Sequence, residues 1–354
     1  MKITRNINNP LITPKDVKPS KKDFKVIGTF NAGVAKVNQK FLLLIRVAEK
    51  YHTNDPEIVG VPMYSEIDDK IIIKKFNRKD KTIDFTDPRF VKTKEQLYLT
   101  SLSHFRLATS TDGVHFEIDD KPFMIASTYY EAYGIEDPRI TYIDDYYYIN
   151  YSAISMSGVV TCLARTKDFK EVERLGIIFL QDNKDVAIFP EKINNKYYAL
   201  NRPVSAYFNK PEMWIAASND LISYHDHKLL ASLRPNHFDN ARIGASTPPF
   251  KTKIGWIEFY HGASFEDKYC VGVMVLDLND PSKILYRSEE PLIEPSASYE
   301  QKGFMANVLF PCGQVIENDM IYLYYGNSDE NICLITFSLN ELLTMIKLEL
   351  NQNE

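Results

Sequence analysis

Cysteine is scarce in this chain: Cys162, Cys270, Cys312 and Cys333 stand far apart, with no CxxC pair and no Cys/His cluster at metal-ligand spacing. A zinc ribbon and a disulfide framework are thereby excluded, and the four read as buried free thiols, three of them inside apolar strand-like runs. No stretch of about 18 apolar residues occurs, which argues against a membrane-spanning helix. The opening MKITRNINNP lacks an apolar segment that could act as a signal, so the expected compartment is the cytoplasm. Basic blocks are missing too. The balance of 42 Lys+Arg against 47 Asp+Glu leaves a formal charge of -5, and no Lys/Arg cluster interleaves with aromatics. Neither nucleic acid nor an acidic polymer is an expected partner.

What is present is a repeat. Five aromatic or aliphatic runs end in a polar residue: Lys40 to Arg46, Asp145 to Tyr151, Lys196 to Arg202, Gly255 to His261 and Met320 to Gly326. Each has a second strand and a turn further on, beginning near Arg106, Leu163, Ile215, Val271 and Ile332. A recurrence of about 50 to 60 residues is near that of propeller blades and above that of short solenoids. The expected fold is all-β, a five-bladed β-propeller filling residues 1–354 as one catalytic domain. The stretch from Tyr51 to Thr100 falls outside the pattern and reads as an insertion in the first blade, either a surface excursion or one wall of a pocket. A propeller brings equivalent strands to a central channel, so Arg46, Tyr151, Arg202, His261 and Asn327, at or next to the run ends, are expected to converge on a small-molecule pocket.

The densest chemical passage is Tyr129 to Arg139, YYEAYGIEDPR. Gly134 and Pro138 hold Glu136 and Asp137 on a rigid loop, with Arg139 available to pair with a carboxylate. A rigid carboxylate beside Tyr129, Tyr130 and Tyr133 suits a general acid. The competing reading is a structural Asp/Arg pair at a blade junction, with the tyrosines as core.

At this point the chain resembles glycoside hydrolase family 130. The resemblance is carried by GIEDPRITYIDDYYYINYSA, by Asp168 to Ile193, by ARIGASTPPFKTKIGW at Ala241 to Trp256, by YHG at Tyr260 to Gly262, by Val275 to Pro295 and by NVLFPCG at Asn307 to Gly313. It implies a five-bladed propeller acting on β-mannosides, most members being inverting phosphorylases and a smaller group inverting mannosidases. It implies Asp137 as the general acid, delivering its proton through a mannose hydroxyl, and Glu136 and Arg139 as partners of the sugar or the acid. It also implies that Arg46, Lys192, Arg202, Arg242, Tyr260 and His261 surround the sugar and anion sites.

Departures from the family pattern favour water over phosphate. The chain reads Ser155-Met156-Ser157-Gly158 where phosphorylases tend to carry Arg, and Asn201-Arg202-Pro203 where they commonly carry His-Arg-Pro. Arg is the usual phosphate fork, so its loss weakens an anion site. Glu258 replaces an aliphatic residue inside GWIEFYHG, and a carboxylate in an apolar strand is costly unless it faces a polar cavity. Glu258, with Glu212 as second choice, is therefore the expected base for an attacking water. The competing reading of Glu258 is a buried ion pair with Arg202 or Arg242, and of His261 a satisfied structural histidine.

The expectation from sequence is thus an inverting glycosidase on β-mannosidic, by resemblance β-1,2, linkages. Its partners would be a mannose-containing oligosaccharide and water, with no cofactor, no membrane, and a homo-oligomer possible in principle. The alternatives are a phosphorylase using inorganic phosphate and a non-catalytic carbohydrate-binding propeller. Chain-length preference is expected to depend on the loops Tyr51 to Thr100 and Val204 to Pro211.

Overall fold

Each sequence repeat folds into a four-stranded antiparallel blade, and the five blades form a β-propeller in the computed structural model, which describes residues 1–205 and 207–352. Blade 1 runs through Phe24–Val37, Lys40–Tyr51, Ser101–Ser110 and Glu117–Ile118. Blade 2 is Ile135–Ile143, Tyr146–Ser155, Gly158–Thr166 and Glu173–Phe179, and blade 3 is Asn183–Ile188, Tyr197–Pro203, Met213–Ser218 and Tyr224–Ala231. Blade 4 is Arg242–Ala245 with Phe250–Thr252, then Gly255–Ala263, Tyr269–Leu276 and Ile284–Arg287. Blade 5 takes Leu309–Glu317, Met320–Asn327 and Asn331–Ser338 from the C-terminal end and its fourth strand, Thr4–Arg5, from the N-terminal end. Closing the ring with strands from both ends leaves no seam that can open without breaking a ladder. The helix Leu339–Gln352 follows blade 5.

The apolar runs of the repeat are the second strands, and an additional strand precedes each of them nearest the axis. First strands of neighbouring blades pack on one another around the channel. Second strands read as unbroken apolar runs because blades cover both of their faces; Phe41 to Ile45 and Trp256 to Tyr260 are almost wholly buried. First strands are harder to recognise because they mix core residues with polar ones that face the channel.

Three first strands carry the same irregularity. Their pairing with the second strand slips between Phe30 and Gly33, between Glu136 and Arg139, and between Lys184 and Ala187. In each bulge the residue after the slip begins has left-handed backbone: Asn31 at φ 49°, Asp137 at 51° and Asp185 at 52°. Asn and Asp tolerate that conformation better than other residues with a side chain, and a bulge redirects the side chain it carries. In blade 4 the first strand breaks instead at Pro248-Pro249, which have no N–H to donate. Gly134, just before the blade 2 bulge, has φ 109°, and a Cβ there would lie 2.6 Å from the Ser103 nitrogen.

Away from the axis, three blades share a clasp built from a second-strand Tyr, a fourth-strand Arg and a fully buried carboxylate on the loop entering the blade. Glu131 accepts from Tyr151 at 2.7 Å and Arg174 at 3.3 Å; Asp239 accepts from Tyr260 at 3.1 Å and Arg287 at 2.7 Å; Glu300 accepts from Tyr325 and Arg5, both at 2.7 Å. Tyr151 and Tyr260, expected at the pocket, belong to these clasps. Asn327 likewise points outward, donating to Tyr299 O at 2.6 Å.

Between the second and third strands of blade 1 lie two hairpins, Ile58–Ser65 with Lys70–Asn77 and Phe90–Lys92 with Leu97–Leu99. In the loop Val204 to Pro211, Ala206 lies outside the described residues.

Leaving a buried partner unsatisfied costs about 1–3 kcal/mol. Tyr151→Phe, which strips one donor from Glu131, is therefore expected to lower unfolding free energy by that amount in denaturant melts while leaving turnover unchanged; a loss of turnover without destabilisation would return Tyr151 to the site.

Candidate active site

The bulged first strands and the ends of the second strands meet in an axial cavity of about 260 Å³ to which all five blades contribute. Asn31 and Arg46 enter from blade 1, Glu136 and Asp137 from blade 2, and Lys184, Asp185 and Arg202 from blade 3. Blade 4 supplies Arg242 and Tyr269, while Met305, Phe310 and Asp329 form the wall from blade 5. Polar groups of both signs thus face one small volume.

One side is organised around Asp137. Its Oδ1 accepts from Asn31 Nδ2 at 2.8 Å and Arg46 Nη1 at 2.9 Å, while Arg46 Nη2 reaches Glu136 at 2.6 Å and the guanidinium lies 4.4 Å from the centre of the Phe30 ring. Burial pushes the Asp137 carboxyl up, but Arg46 and Asn31 outweigh it and hold it below the usual range. Asp329 faces the same side without such a partner. Burial, together with the nearby charges of Asp137 and Glu136 and against that of Arg46, pushes it up to about 6.

The other side is cationic. Arg202 Nη1 pairs with Asp185 at 2.9 Å, and His261 Nε2 stands 3.2 Å from the same carboxylate. Burial opposes ionisation of Asp185, yet Arg202 and His261 keep it well below the usual carboxylate range. Lys184 is the register partner of Arg202. Arg242 donates to the Tyr269 hydroxyl rather than to a carboxylate. Arg46, Lys184, Arg202 and Arg242 therefore face the cavity together, and among the described residues Lys184 and Arg242 have no ion-pair partner.

Between the two sides runs Arg139, which is 1 % exposed. Its Nε donates to Ser246 O at 2.7 Å, Nη2 to Ala245 O at 2.8 Å and Nη1 to Asp137 O at 3.2 Å, with Asp185 3.5 Å away. It is a backbone tie from blade 2 to the break in blade 4, and does not line the cavity.

Several expected residues are placed elsewhere. Glu258 is fully buried behind the cavity wall; Oε1 accepts from Ser246 N at 3.1 Å, and burial drives its carboxyl well above the usual range despite Ser246 and Arg139. A carboxyl walled off from the cavity does not serve as a base for water in it. It also forms no ion pair with Arg202 or Arg242. Glu212 sits near Leu233 N at 3.4 Å, away from the cavity. Lys192 is exposed on the loop before the blade 3 second strand, over the ring of Tyr197, which itself lies five residues or about 17 Å of strand from Arg202. Asn201 is buried and accepts from Asn183 at 3.1 Å, and His261 is buried behind Arg202 with its charged form disfavoured by burial. Tyr133 donates to Leu97 O at 3.1 Å in the blade 1 insertion, and Tyr129 and Tyr130 pack edge to face on each other. Met156 is at an exposed hairpin tip, outside the cavity.

Asn31, Lys184, Asp185, Tyr269 and Asp329 were not singled out from sequence. The available signal was positional: Asn31 and Asp185 repeat, in blades 1 and 3, the bulge position of Asp137.

Because Asp329 gains a negative charge as pH rises through about 6, anions in this cavity should bind more weakly above that pH. Sulfate, which does not itself titrate between about pH 5 and 7, should lose affinity across that interval, and Asp329→Asn should flatten the profile; a flat wild-type profile would separate Asp329 from the anion site.

The comparisons with known proteins agree with this geometry. A family model described as beta-1,4-mannooligosaccharide phosphorylase, Glyco_hydro_130, matches residues 101–348. A beta-1,2-mannobiose phosphorylase of Listeria innocua is 46 % identical over 99 % of both chains, and its structure with beta-1,2-mannobiose superposes with a TM-score of 0.93 over 98 % of this chain and 100 % of that one. A 1,2-beta-oligomannan phosphorylase of Thermoanaerobacter is 40 % identical over 68 % of this chain and 80 % of its own. A glycosyl hydrolase of Bacteroides ovatus shares the fold, at 21 % identity and a TM-score of 0.75 over 96 % of this chain and 94 % of that one. With the axial cavity, the EDPR strand and this extent of identity together, the chain belongs to glycoside hydrolase family 130, enzymes acting on β-mannosides.

Proposed function

We propose that the protein is an inverting β-1,2-mannoside phosphorylase, cleaving a β-1,2-mannobiose or short β-1,2-mannan with inorganic phosphate. The observation that carries the reading is the cationic side of the cavity, where Lys184, Arg202 and Arg242 converge and, among the described residues, two of the three lack a carboxylate partner. A phosphate dianion supplies the missing charge, and the planar forks of Arg202 and Arg242 suit its oxygens. The 46 % and 40 % identical relatives named as phosphorylases support the same choice, whereas the hydrolase-named neighbour at 21 % supports the fold alone.

This replaces the hydrolytic expectation. That expectation rested on Glu258 and Glu212 as bases and on Met156 as a lost phosphate ligand. Neither glutamate lines the cavity, and Met156 stands apart from the four cations that do. Asp329 does line it, within reach of the charges of Arg46, Asp137, Glu136 and Lys184.

In the proposed reaction the mannosyl ring lies between the two sides. A phosphate oxygen held by Lys184, Arg202 and Arg242 bonds to C1 as the C1–O bond to the leaving sugar breaks. Asp137 supplies the proton to the departing oxygen, through a mannose hydroxyl as family resemblance implies. Arg46 and Asn31 favour the ionised carboxylate. A sugar that displaces water and an anion that offsets the positive charge both raise its proton affinity, so loading the site prepares the acid. Products are α-mannose 1-phosphate and the shortened mannoside.

General-acid contributions are about 10²–10⁴-fold, and Asp137→Asn is expected to lower kcat by that factor. Arg242→Gln should raise KM for phosphate by about tenfold or more, one charge-assisted contact being lost, with KM for the disaccharide little changed. Initial rates at varied phosphate check both, and a wild-type rate independent of phosphate would sink the phosphorylase reading in favour of hydrolysis.

A further inference from the structure

Ser246 is a fully buried polar residue to which the proposed reaction gives no part. It stands where the first strand of blade 4 breaks, between Arg242–Ala245 and Pro248-Pro249. Its backbone serves the acid side. The carbonyl accepts from Arg139 Nε at 2.7 Å, and the N–H is shared by Phe259 O at 3.0 Å and Glu258 Oε1 at 3.1 Å. Its side chain serves the other side. Ser246 Oγ lies 3.2 Å from His261 Nδ1, and the second ring nitrogen, Nε2, lies 3.3 Å from Arg202 Nη1. We propose that Ser246 is a positioning residue of the anion site, its hydroxyl fixing the His261 imidazole and the imidazole fixing the Arg202 fork. The proposal rests on the phosphorylase reading for the identity of the anion.

Apolar packing alone does not orient this imidazole. The rings of Phe310 and Tyr269 lie against it, with centres 4.4 and 6.1 Å away. Such contacts set the plane of the ring. They do not choose between the two orientations related by a half-turn, which exchange Nδ1 with Cδ2 and Nε2 with Cε1. Hydrogen bonds make that choice. A serine hydroxyl both donates and accepts, so Ser246 holds Nδ1 whichever ring nitrogen carries the proton. With Nδ1 held, Nε2 is directed at Arg202.

Arg202 has use for a second support. Its ion-pair partner Asp185, at 2.9 Å from Nη1, also stands 3.2 Å from His261 Nε2 and 3.5 Å from Arg139 Nη2. One ion pair at one nitrogen leaves the guanidinium free to swing about it; a second contact at Nη1 sets its direction. Among the described residues Nη2 makes no hydrogen bond, which leaves it for an anion in the cavity that Arg202 lines. Gly244, the register partner of His261, makes room for this meeting, since a Cβ there would lie 2.6 Å from Asp185 Oδ2 and 2.7 Å from His261 Cε1. The Ser246 carbonyl is thus tied through Arg139 to Asp137, and its hydroxyl through His261 to Arg202. One buried residue spaces the acid from the anion group.

Ser246→Ala removes the hydroxyl and keeps the carbonyl and N–H that meet Arg139 and Glu258. It should raise KM for phosphate by about fivefold, the scale of one hydrogen bond, with KM for β-1,2-mannobiose and kcat at saturating phosphate within about twofold. His261→Asn, which cuts the link to Arg202, should raise KM for phosphate at least as far. In that background, adding Ser246→Ala should change KM for phosphate no further, because the hydroxyl then has nothing to act through. An unchanged KM for phosphate in either single variant, an equal rise for both substrates, or an equal effect of Ser246→Ala in the two backgrounds overturns the assignment. Should wild type turn over at a rate independent of phosphate, the phosphorylase reading fails by itself. Calorimetry with sulfate then decides the role of Ser246 separately: Ser246→Ala must weaken sulfate binding by about fivefold, and equal affinity refutes it.

Discussion

The site depends on one buried cation. Arg139 crosses from the blade 2 bulge to the broken first strand of blade 4, donating to the Asp137, Ala245 and Ser246 carbonyls. Strand pairing within a blade fixes nothing between blades, because every ladder there ends at the blade edge. Most packing between blades is apolar and non-directional. Directional bonds across the axis are what hold Asp137 at a set distance from the residues of blades 3 and 4. The Ala245 and Ser246 carbonyls that Arg139 binds lie at the end of the first part of that strand, just before Pro248-Pro249.

From that tie the division of the cavity follows. Arg46 and Asn31 bind Asp137 on one side, while Arg202, His261 and Asp185 form a second bonded set on the other, with Lys184 and Arg242 beside it. The proposed acid comes from blade 2 and the proposed anion groups from blades 3 and 4, around one small cavity; an inverting displacement needs them on the two faces of the ring held between them. The three Tyr–carboxylate–Arg clasps work further out, fastening the entry loops of blades 2, 4 and 5 so that the first strands start at fixed points.

Some of this was legible in the sequence. The second strands announce themselves because two-sided burial demands apolar runs, and those runs gave the blade number. Arg46 and Arg202 were found at their ends, and Asp137 through the EDPR motif. Glu258 misled because an acidic residue in an apolar strand suggests a cavity. Here a further strand intervenes, and burial answers the charge by holding the proton. Tyr151 and Tyr260 misled because the repeat marks equivalence of position, and equivalence around a propeller includes outward clasps as well as inward ligands. Asn31 and Asp185 were missed for a geometric reason: a bulge inserts a residue into the two-residue period, so alternation no longer tells which side chain faces the axis. Asp329 lies in a loop after the blade 5 second strand, two residues beyond Asn327, where no periodicity applies.

The claim that acid and phosphate stand on opposite faces of one mannosyl ring is tested most directly by the configuration of the product. Incubation of the protein with β-1,2-mannobiose and inorganic phosphate, followed from the first minutes by proton and phosphorus NMR, should yield α-mannose 1-phosphate and mannose in equal amounts, with no reaction when phosphate is omitted. A β-configured phosphate, or free mannose formed at the same rate without phosphate, would contradict the account.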